Sequence, residues 1–270
     1  MKLLIIIAVA LVFGIWLRRE NRVLAAAAPR RKRTLYIGLC IDMLKCFDDE
    51  PEGSLRVLGT HKLLAGVNRL IAKLKFWYMI QDFHPEGHGS FFTQYPGKKF
   101  LDTTFLSGIQ QVLWYEHAVQ GRTGFDSPDF IEGLTTNGYR KLIRKGTDVR
   151  VDSYSAFYDN GLDAPASVKA QYPFLGQSTG LWEDSKVLAT EEDADEIVFI
   201  CFGVAGDYCD KFTALHARRH TWKGKPVRVI FVTDLTAYIG DEQATLAELR
   251  AAGIECKTLA EVEAELAAAA

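Results

Sequence analysis

The chain has 270 residues, 48% of them hydrophobic and 24% charged, with a formal net charge of -2. That is enough to bury one sizeable core, and the interspersed charges indicate neither a nucleic-acid partner nor a strongly charged substrate. Five cysteines (Cys40, Cys46, Cys201, Cys209 and Cys256) with no C-x-x-C pair argue against a disulfide framework and for a reducing compartment.

In chain order, residues 3–17 form an uninterrupted apolar run. It is shorter than the roughly 20 residues of a comfortable membrane span and has the length of a signal-peptide core, with small residues at Ala25 to Ala28 for cleavage. Only Lys2 precedes it, whereas Arg18, Arg19, Arg22, Arg30, Arg31, Lys32 and Arg33 follow. With that basic side in the cytoplasm, the run reads equally as a short anchor attaching a cytosolic domain to a membrane. No other stretch could span one. Residues 1–33 are thus expected to be an anchor or signal segment with a basic linker, and 34–270 a single domain.

TLYIGLCID (34–42) is an apolar run ending in a charge, as in a strand buried on both faces. Leu63, Val67, Leu70, Ile71 and Leu74 recur at helical spacing and predict a helix over 61–75. FWYMIQD (76–82) predicts a second strand. The stretch from Phe83 to about Asn137 has little periodicity, and so long a segment in a compact domain is usually functional. Further strands are predicted over 139–146, 196–203, 226–234 and 254–258, and helices over 207–219, 241–252 and 259–268. This alternation implies parallel βαβ units: a three-layer α/β/α architecture with a mostly parallel six-stranded sheet. Ligands of such folds sit at the carboxyl ends of the strands, near a switch point.

Four polar features fall at predicted strand ends: Asp42, Asp82, Lys145 and the GVAGDYC turn over 203–209. Cys209 lies in the first turn of a predicted helix, where free N–H groups and the dipole favour a thiolate and could form an oxyanion hole. An ordinary core cysteine is the plain alternative. Asp42 and Lys145 read as a rim ion pair or, beside a thiol, as an acid/base set. Asp82 and His84 point to one side of an extended segment and suit zinc, iron or manganese, with His88 and His117 as further ligands. Phe47, Phe83, Trp114, Tyr154 and Phe157 could wall a small planar substrate, or pack a core.

QDFHPEGHGSF (81–91), VLWYEHAVQG (112–121), RKGTDVRVDSYSAFYDN (144–160) and GVAGDYCDKFTALHA (203–217) resemble the successive signature segments of nicotinamidases, and IDMLKCFDDEPEGSLRV (41–57) resembles the first of them in altered form. The resemblance runs from about Leu35 to Leu259. It implies an isochorismatase-like hydrolase fold, an Asp42–Lys145–Cys209 triad, and one divalent metal on Asp82, His84 and His117, with His88 as a further ligand candidate. Zinc leads the metals, and iron and manganese take the same ligands. It also implies a cis peptide at Val204–Ala205, oxyanion donors at Ala205 and Cys209, and a substrate site of Phe47, Trp114, Tyr154, Val204 and Ala205. The implied reaction is hydrolysis of nicotinamide in NAD salvage, with pyrazinamide as a further substrate. The family's usual residues are replaced at Leu44, Lys45, Cys46, Tyr115, Ala118 and Gly206. Two other readings remain at this point: a related hydrolase of another small amide, and a tethered, non-catalytic nicotinamide-binding homologue. A homo-oligomer is compatible with the sequence, which fixes no oligomeric state.

Overall fold

The computed structural model describes residues 32–269. In chain order the elements are β1 (Thr34–Ile41), a 3-10 turn (Lys45–Phe47), α1 (Thr60–Ile71), β2 (Phe76–Asp82), a hairpin of β3 (Thr103–Leu106) and β4 (Ile109–Val112), and β5 (Lys141–Lys145). After a 3-10 turn at Phe92–Gln94 within the stretch before that hairpin, the second half holds α2 (Ala166–Gln171), α3 (Leu181–Glu191), β6 (Glu196–Val204), a π turn (Gly206–Asp210) and α4 (Lys211–Arg218). The ribbon β7 (Thr221–Trp222) and β8 (Lys225–Pro226), then β9 (Arg228–Ala237), α5 (Glu242–Ala251), β10 (Glu255–Lys257) and α6 (Leu259–Ala269), complete it.

The main sheet has six strands in the order β10-β9-β6-β1-β2-β5, and every pairing in it is parallel. Alternation along the strands explains the two cores. Leu35, Ile37, Leu39 and Ile41 of β1, with Ile197, Phe199 and Cys201 of β6, face α3, α4 and α5 through Leu181, Leu188, Ala214 and Leu249. Cys40, Val198, Ile200 and Phe202 point the other way, to Val67, Leu70 and Ile71 of α1 and Val262 of α6. Phe199, Phe202 and Phe231 are fully buried, each stabilising the fold by roughly 1.5–3 kcal/mol relative to exposure. A strand whose two faces both meet helices must be apolar at every position, so these segments read as unbroken runs.

The chain builds β1, β2 and β5 outward in one direction, then returns to place β6 on the other side of β1. Open α/β sheets place their ligand crevice at such a reversal, here the carboxyl ends of β1 and β6. The pairing of β6 with β9 shifts register between Cys201 and Gly203 and resumes at Thr236 and Ala237. β9 therefore runs past the predicted end at 234 and reaches the same rim.

Three differences from expectation have physical causes. Helix 181–191 was not predicted, because its buried residues Leu181, Trp182, Ser185, Leu188 and Ala189 mix apolar and polar types. The hairpin 103–112 has short strands with one exposed side, too little pattern for a strand reading. The expected membrane anchor is corrected: among the described residues no helix is long and apolar enough to cross a membrane, and the run over 3–17 lies outside them.

Under α4, His220 stacks on Trp182 with ring centroids 4.3 Å apart, and its Nε2 is buried without a hydrogen-bond partner. Burial pushes its pKa down to about 4, with Glu183 pulling up and Lys186 pushing down. The unfolded chain binds this proton at about pH 6.5, so the stabilisation is whole above that pH and is lost as pH falls toward the folded value. His220→Phe keeps the stack and removes the titration. Thermal denaturation at about pH 7 and about pH 5 should show a smaller drop in Tm for the variant than for the parent; equal drops would contradict this.

Candidate active site

Asp42 directly follows β1 and has a φ of 49°, in the left-handed region. Such a conformation costs a non-glycine residue about 1–3 kcal/mol and persists where its surroundings fix it. Here the Asp42 N–H donates to the Ile80 carbonyl at 3.2 Å, and Oδ1 accepts the Asp82 N–H at 2.9 Å. Gly203 on β6 lies so close that a Cβ there would land on the Ile41 carbonyl oxygen. Only glycine lets β6 approach the turn that aims Asp42 into the crevice.

Asp82 ends β2 and is paired in register with Lys145 at the end of β5. The Lys145 ammonium is buried and touches four groups: Asp42 Oδ2 at 2.9 Å, Asp82 Oδ1 at 2.7 Å, the Ser153 carbonyl at 3.1 Å and Cys209 Sγ at 3.3 Å. Burial favours loss of its proton, but Asp42 and Asp82 outweigh that and hold it charged. Burial pushes the Asp42 carboxyl up to about 6, with Lys145 pulling it down and Asp82 pushing it up. Burial also raises Asp82, yet Lys145 and His84 dominate and hold it well below the usual carboxylate range.

The Val204–Ala205 peptide is cis, as the resemblance implies. Cys209 follows within a π turn rather than a regular first helical turn: the N–H of Asp210 donates to the Ala205 carbonyl at 3.1 Å, five residues back. Single π turns recur at functional sites. A stabilised thiolate does not result here. Burial pushes the Cys209 thiol well up, and the pull of Lys145 does not offset it. The thiol keeps its proton, so an attack by sulfur needs a neighbouring base.

His84 and His117 converge on the Asp82 carboxylate. His84 Nε2 lies 3.6 Å from Asp82 Oδ1, and His117 Nε2 3.8 Å from Oδ2. Each ring is oriented through its other nitrogen: His84 Nδ1 donates to the Gly146 carbonyl at 2.8 Å, and His117 Nδ1 to the Tyr115 carbonyl at 2.7 Å. The ligand atoms of the three side chains lie within 4.8 Å of one another, and His84 Nε2 is buried with no hydrogen-bond partner. One carboxylate and two imidazoles anchored at Nδ1 fit a divalent ion. His88 is also brought here, its ring 4.3 Å from that of His84.

The long unpatterned stretch is organised by backbone pairing. The His84 N–H donates to the Ala118 carbonyl, the Gln120 N–H to the His84 carbonyl, and the Trp114 N–H to the Ser90 carbonyl. These bonds clamp 84–91 against 114–120 and set His117 beside His84. Phe91, not singled out from sequence, is fully buried and packs on His84, His88 and His117 at 5.5, 5.6 and 5.6 Å. Gly146 and Tyr208 were likewise missed; both lie in recognisable segments, but their roles depend on contacts across the fold.

Of the five aromatic candidates, the structure gathers three. Phe47, Trp114 and Tyr154 join Val204, Ala205 and Tyr208 in one apolar cluster. The Trp114 Nε1–H donates to the Tyr154 hydroxyl at 3.2 Å. Phe83 instead lies under the Arg144 guanidinium at 4.0 Å, and Phe157 packs on Phe199 in the core.

Four of the altered positions have clear local surroundings. The Lys45 ammonium turns to Asp129, at 3.7 Å, while Cys46 is buried in the apolar cluster. A Cβ on Gly206 would stand 2.6 Å from Thr236 Cγ2 and would also meet the Tyr238 ring. Tyr115 stacks on Phe100 at 4.9 Å.

The mostly parallel six-stranded sheet flanked by helices matches the fold of the isochorismatase-like hydrolases. No family model matches the chain. It is 31% identical to the nicotinamidase of Escherichia coli (strain K12) over 187 residues, 68% of this chain and 75% of that one. Among solved structures it is similar to PnC1 from L. infantum in complex with nicotinate, at 31% identity and a TM-score of 0.61, over 83% of this chain and 92% of that one. A pyrazinamidase of Pyrococcus horikoshii in complex with zinc shares the fold at 22% identity and a TM-score of 0.56, over 83% and 98% of the two chains. The chain belongs to the nicotinamidase family.

Gly146 yields a direct test of the metal geometry. Its φ is 63°, and a Cβ would stand 2.6 Å from His84 Nδ1. Gly146→Ala should tilt the His84 ring and weaken divalent-ion binding by about 10–100-fold, the usual range for disturbing the group that orients a ligand. Competition against a chromophoric chelator would measure it, and unchanged affinity would refute it.

Proposed function

We propose that the chain hydrolyses nicotinamide to nicotinate and ammonia through a thioester on Cys209, beside a divalent ion held by Asp82, His84 and His117. The observation that carries this reading is the buried Lys145 ammonium, in contact at once with the Asp42 carboxylate, the Asp82 carboxylate and the Cys209 thiol. It links an acid/base pair to the ligand trio.

Asp42 is the base. Its carboxyl, pushed up to about 6 by burial, has a basicity suited to proton transfer near neutral pH. It takes the Sγ proton as sulfur bonds to the amide carbon and the carbonyl electron pair moves onto oxygen. The N–H groups of Ala205 and Cys209 are the donors assigned to that oxygen. Lys145 balances the negative charge of the Asp42–Cys209 pair. Asp42 then returns the proton to nitrogen as the carbon–nitrogen bond breaks and ammonia leaves. Water, deprotonated by the same carboxylate, cleaves the thioester and restores the thiol. Phe47, Trp114, Tyr154, Val204 and Ala205 wall the planar ring and exclude bulk water. When bound, the ion supplies a Lewis acid for the ring nitrogen and so fixes the ring's direction. Zinc is the first choice, since the P. horikoshii relative carries it; iron and manganese accept the same ligands. Pyrazinamide offers the same ring nitrogen and amide, and the nicotinate product suits NAD salvage.

Ammonia release from nicotinamide tests this reading. Cys209→Ala and Asp42→Asn should each lower kcat/KM by at least about a thousandfold. Chelation should depress turnover, and added zinc should restore it. Persistent activity in Cys209→Ala would overturn the mechanism. Inertness toward nicotinamide with turnover of another small amide would overturn the substrate assignment.

A further inference from the structure

Three imidazoles stand near Asp82, and their hydrogen bonds divide them two against one. Nδ1 of His84 meets the Gly146 carbonyl at 2.8 Å, and Nδ1 of His117 the Tyr115 carbonyl at 2.7 Å. A carbonyl oxygen only accepts, so each Nδ1 carries its hydrogen and each Nε2 presents a lone pair. His88 is wired in reverse. The backbone N–H of Ser90 donates to His88 Nδ1 at 3.2 Å, and Ser90 Oγ lies 2.7 Å from the same atom. A backbone N–H only donates, so this Nδ1 is the acceptor, and the neutral ring carries its hydrogen on Nε2. His88 is fully buried, and that Nε2 has no partner among the described residues.

We infer that His88 is not a third imidazole ligand of the metal ion but an N–H donor set beside the ligand trio, with Ser90 fixing its tautomer. This deepens the functional reading above and rests on it for the ion itself. A nitrogen that bears a hydrogen has no in-plane lone pair to give, and the positive end of its N–H dipole is repelled by a cation. The chemistry that suits it is an oxygen acceptor. Asp152 supplies the second half of such a site: its carboxylate groups with His84 and His88, ligand atoms within 4.8 Å of one another. It is buried and held by the Ser153 N–H at 2.7 Å and the Gln111 side-chain amide at 3.1 Å. A water molecule accepting from His88 and donating to Asp152 satisfies both groups. His88 is then a positioning residue, ordering the solvent and substrate face of the site.

Long-range nitrogen–proton correlation NMR of the histidine rings in the full chain reads the tautomers directly, with the His88 signals assigned by their loss in His88→Gln. The expected result is the Nε2–H form at His88, both metal-free and after zinc addition, and the Nδ1–H form with large zinc-induced Nε2 shifts at His84 and His117. An Nδ1–H form at His88, or a zinc-induced Nε2 shift there as large as at His84, would overturn the inference. Zinc affinity gives a second readout: His88→Gln, whose amide N–H replaces the Nε2–H, should lose less than about tenfold, against more than about a hundredfold for His117→Ala. Equal losses would also overturn it. If zinc shifts none of the three rings, the metal reading of the function fails, while the metal-free spectrum still decides the tautomer of His88.

Discussion

A single cation in a dry place organises this site. The Lys145 ammonium is taken wholly out of water, which is costly unless opposite charges and hydrogen-bond acceptors surround it. Asp42, Asp82 and the Ser153 carbonyl do so at 2.7–3.1 Å. Loss of the ammonium would leave two carboxylates facing each other without water, and breaking a buried pair of this kind costs about 3–5 kcal/mol. The same contact sets the site's proton arrangement. Lys145 stays charged, Asp82 stays ionised, and the strain of burying a third charge appears at Asp42, whose carboxyl is pushed up to about 6.

The fold brings these groups together through strand direction alone. Parallel strands place all their carboxyl ends on one rim, so Asp42, Asp82, Lys145 and the turn after β6 converge although they are distant in sequence. This part of the site was legible in the chain, since each of the first three is a charge at the end of a predicted strand. The metal side was half legible. Asp82 and His84 share a side of an extended segment by simple alternation, but His117 arrives only through the bonds joining 84–91 to 114–120. Those are irregular backbone pairings with no periodic signature. The roles of Gly146 and Phe91 were hidden for a related reason: each acts through contacts with rings far away in the chain. Helix 181–191 escaped because its buried face includes Ser185. The first 31 residues stay outside the described structure.

Changes from the family's usual residues need not disturb the chemistry when their side chains leave the reacting atoms alone. Lys45 stands three residues from Asp42 in the chain, but its ammonium is engaged with Asp129 on the surface. Gly206 loses a side chain next to the turn that carries Cys209, and Tyr238, brought to the rim by the register shift in β9, occupies that space. The two features belong together: a bulkier residue at 206 would collide with the tyrosine.

Cys209, the proposed nucleophile, illustrates which electrostatic effect wins. A helix N-terminus favours a thiolate by a fraction of a unit charge, and Lys145 adds a full charge at 3.3 Å. Burial and the two nearby carboxylates nonetheless raise the Cys209 thiol well above its ordinary range. The resting pair is therefore a neutral thiol beside a carboxylate of unusually high basicity. In the proposed mechanism, proton transfer within that pair creates negative charge on sulfur only while Lys145 is in contact and an electrophile is present to accept it. A thiol kept protonated is also a poorer target for oxidation than an exposed thiolate. The high thiol pKa is thus compatible with the proposed nucleophilic attack, because the Asp42 carboxylate is in place to take the proton.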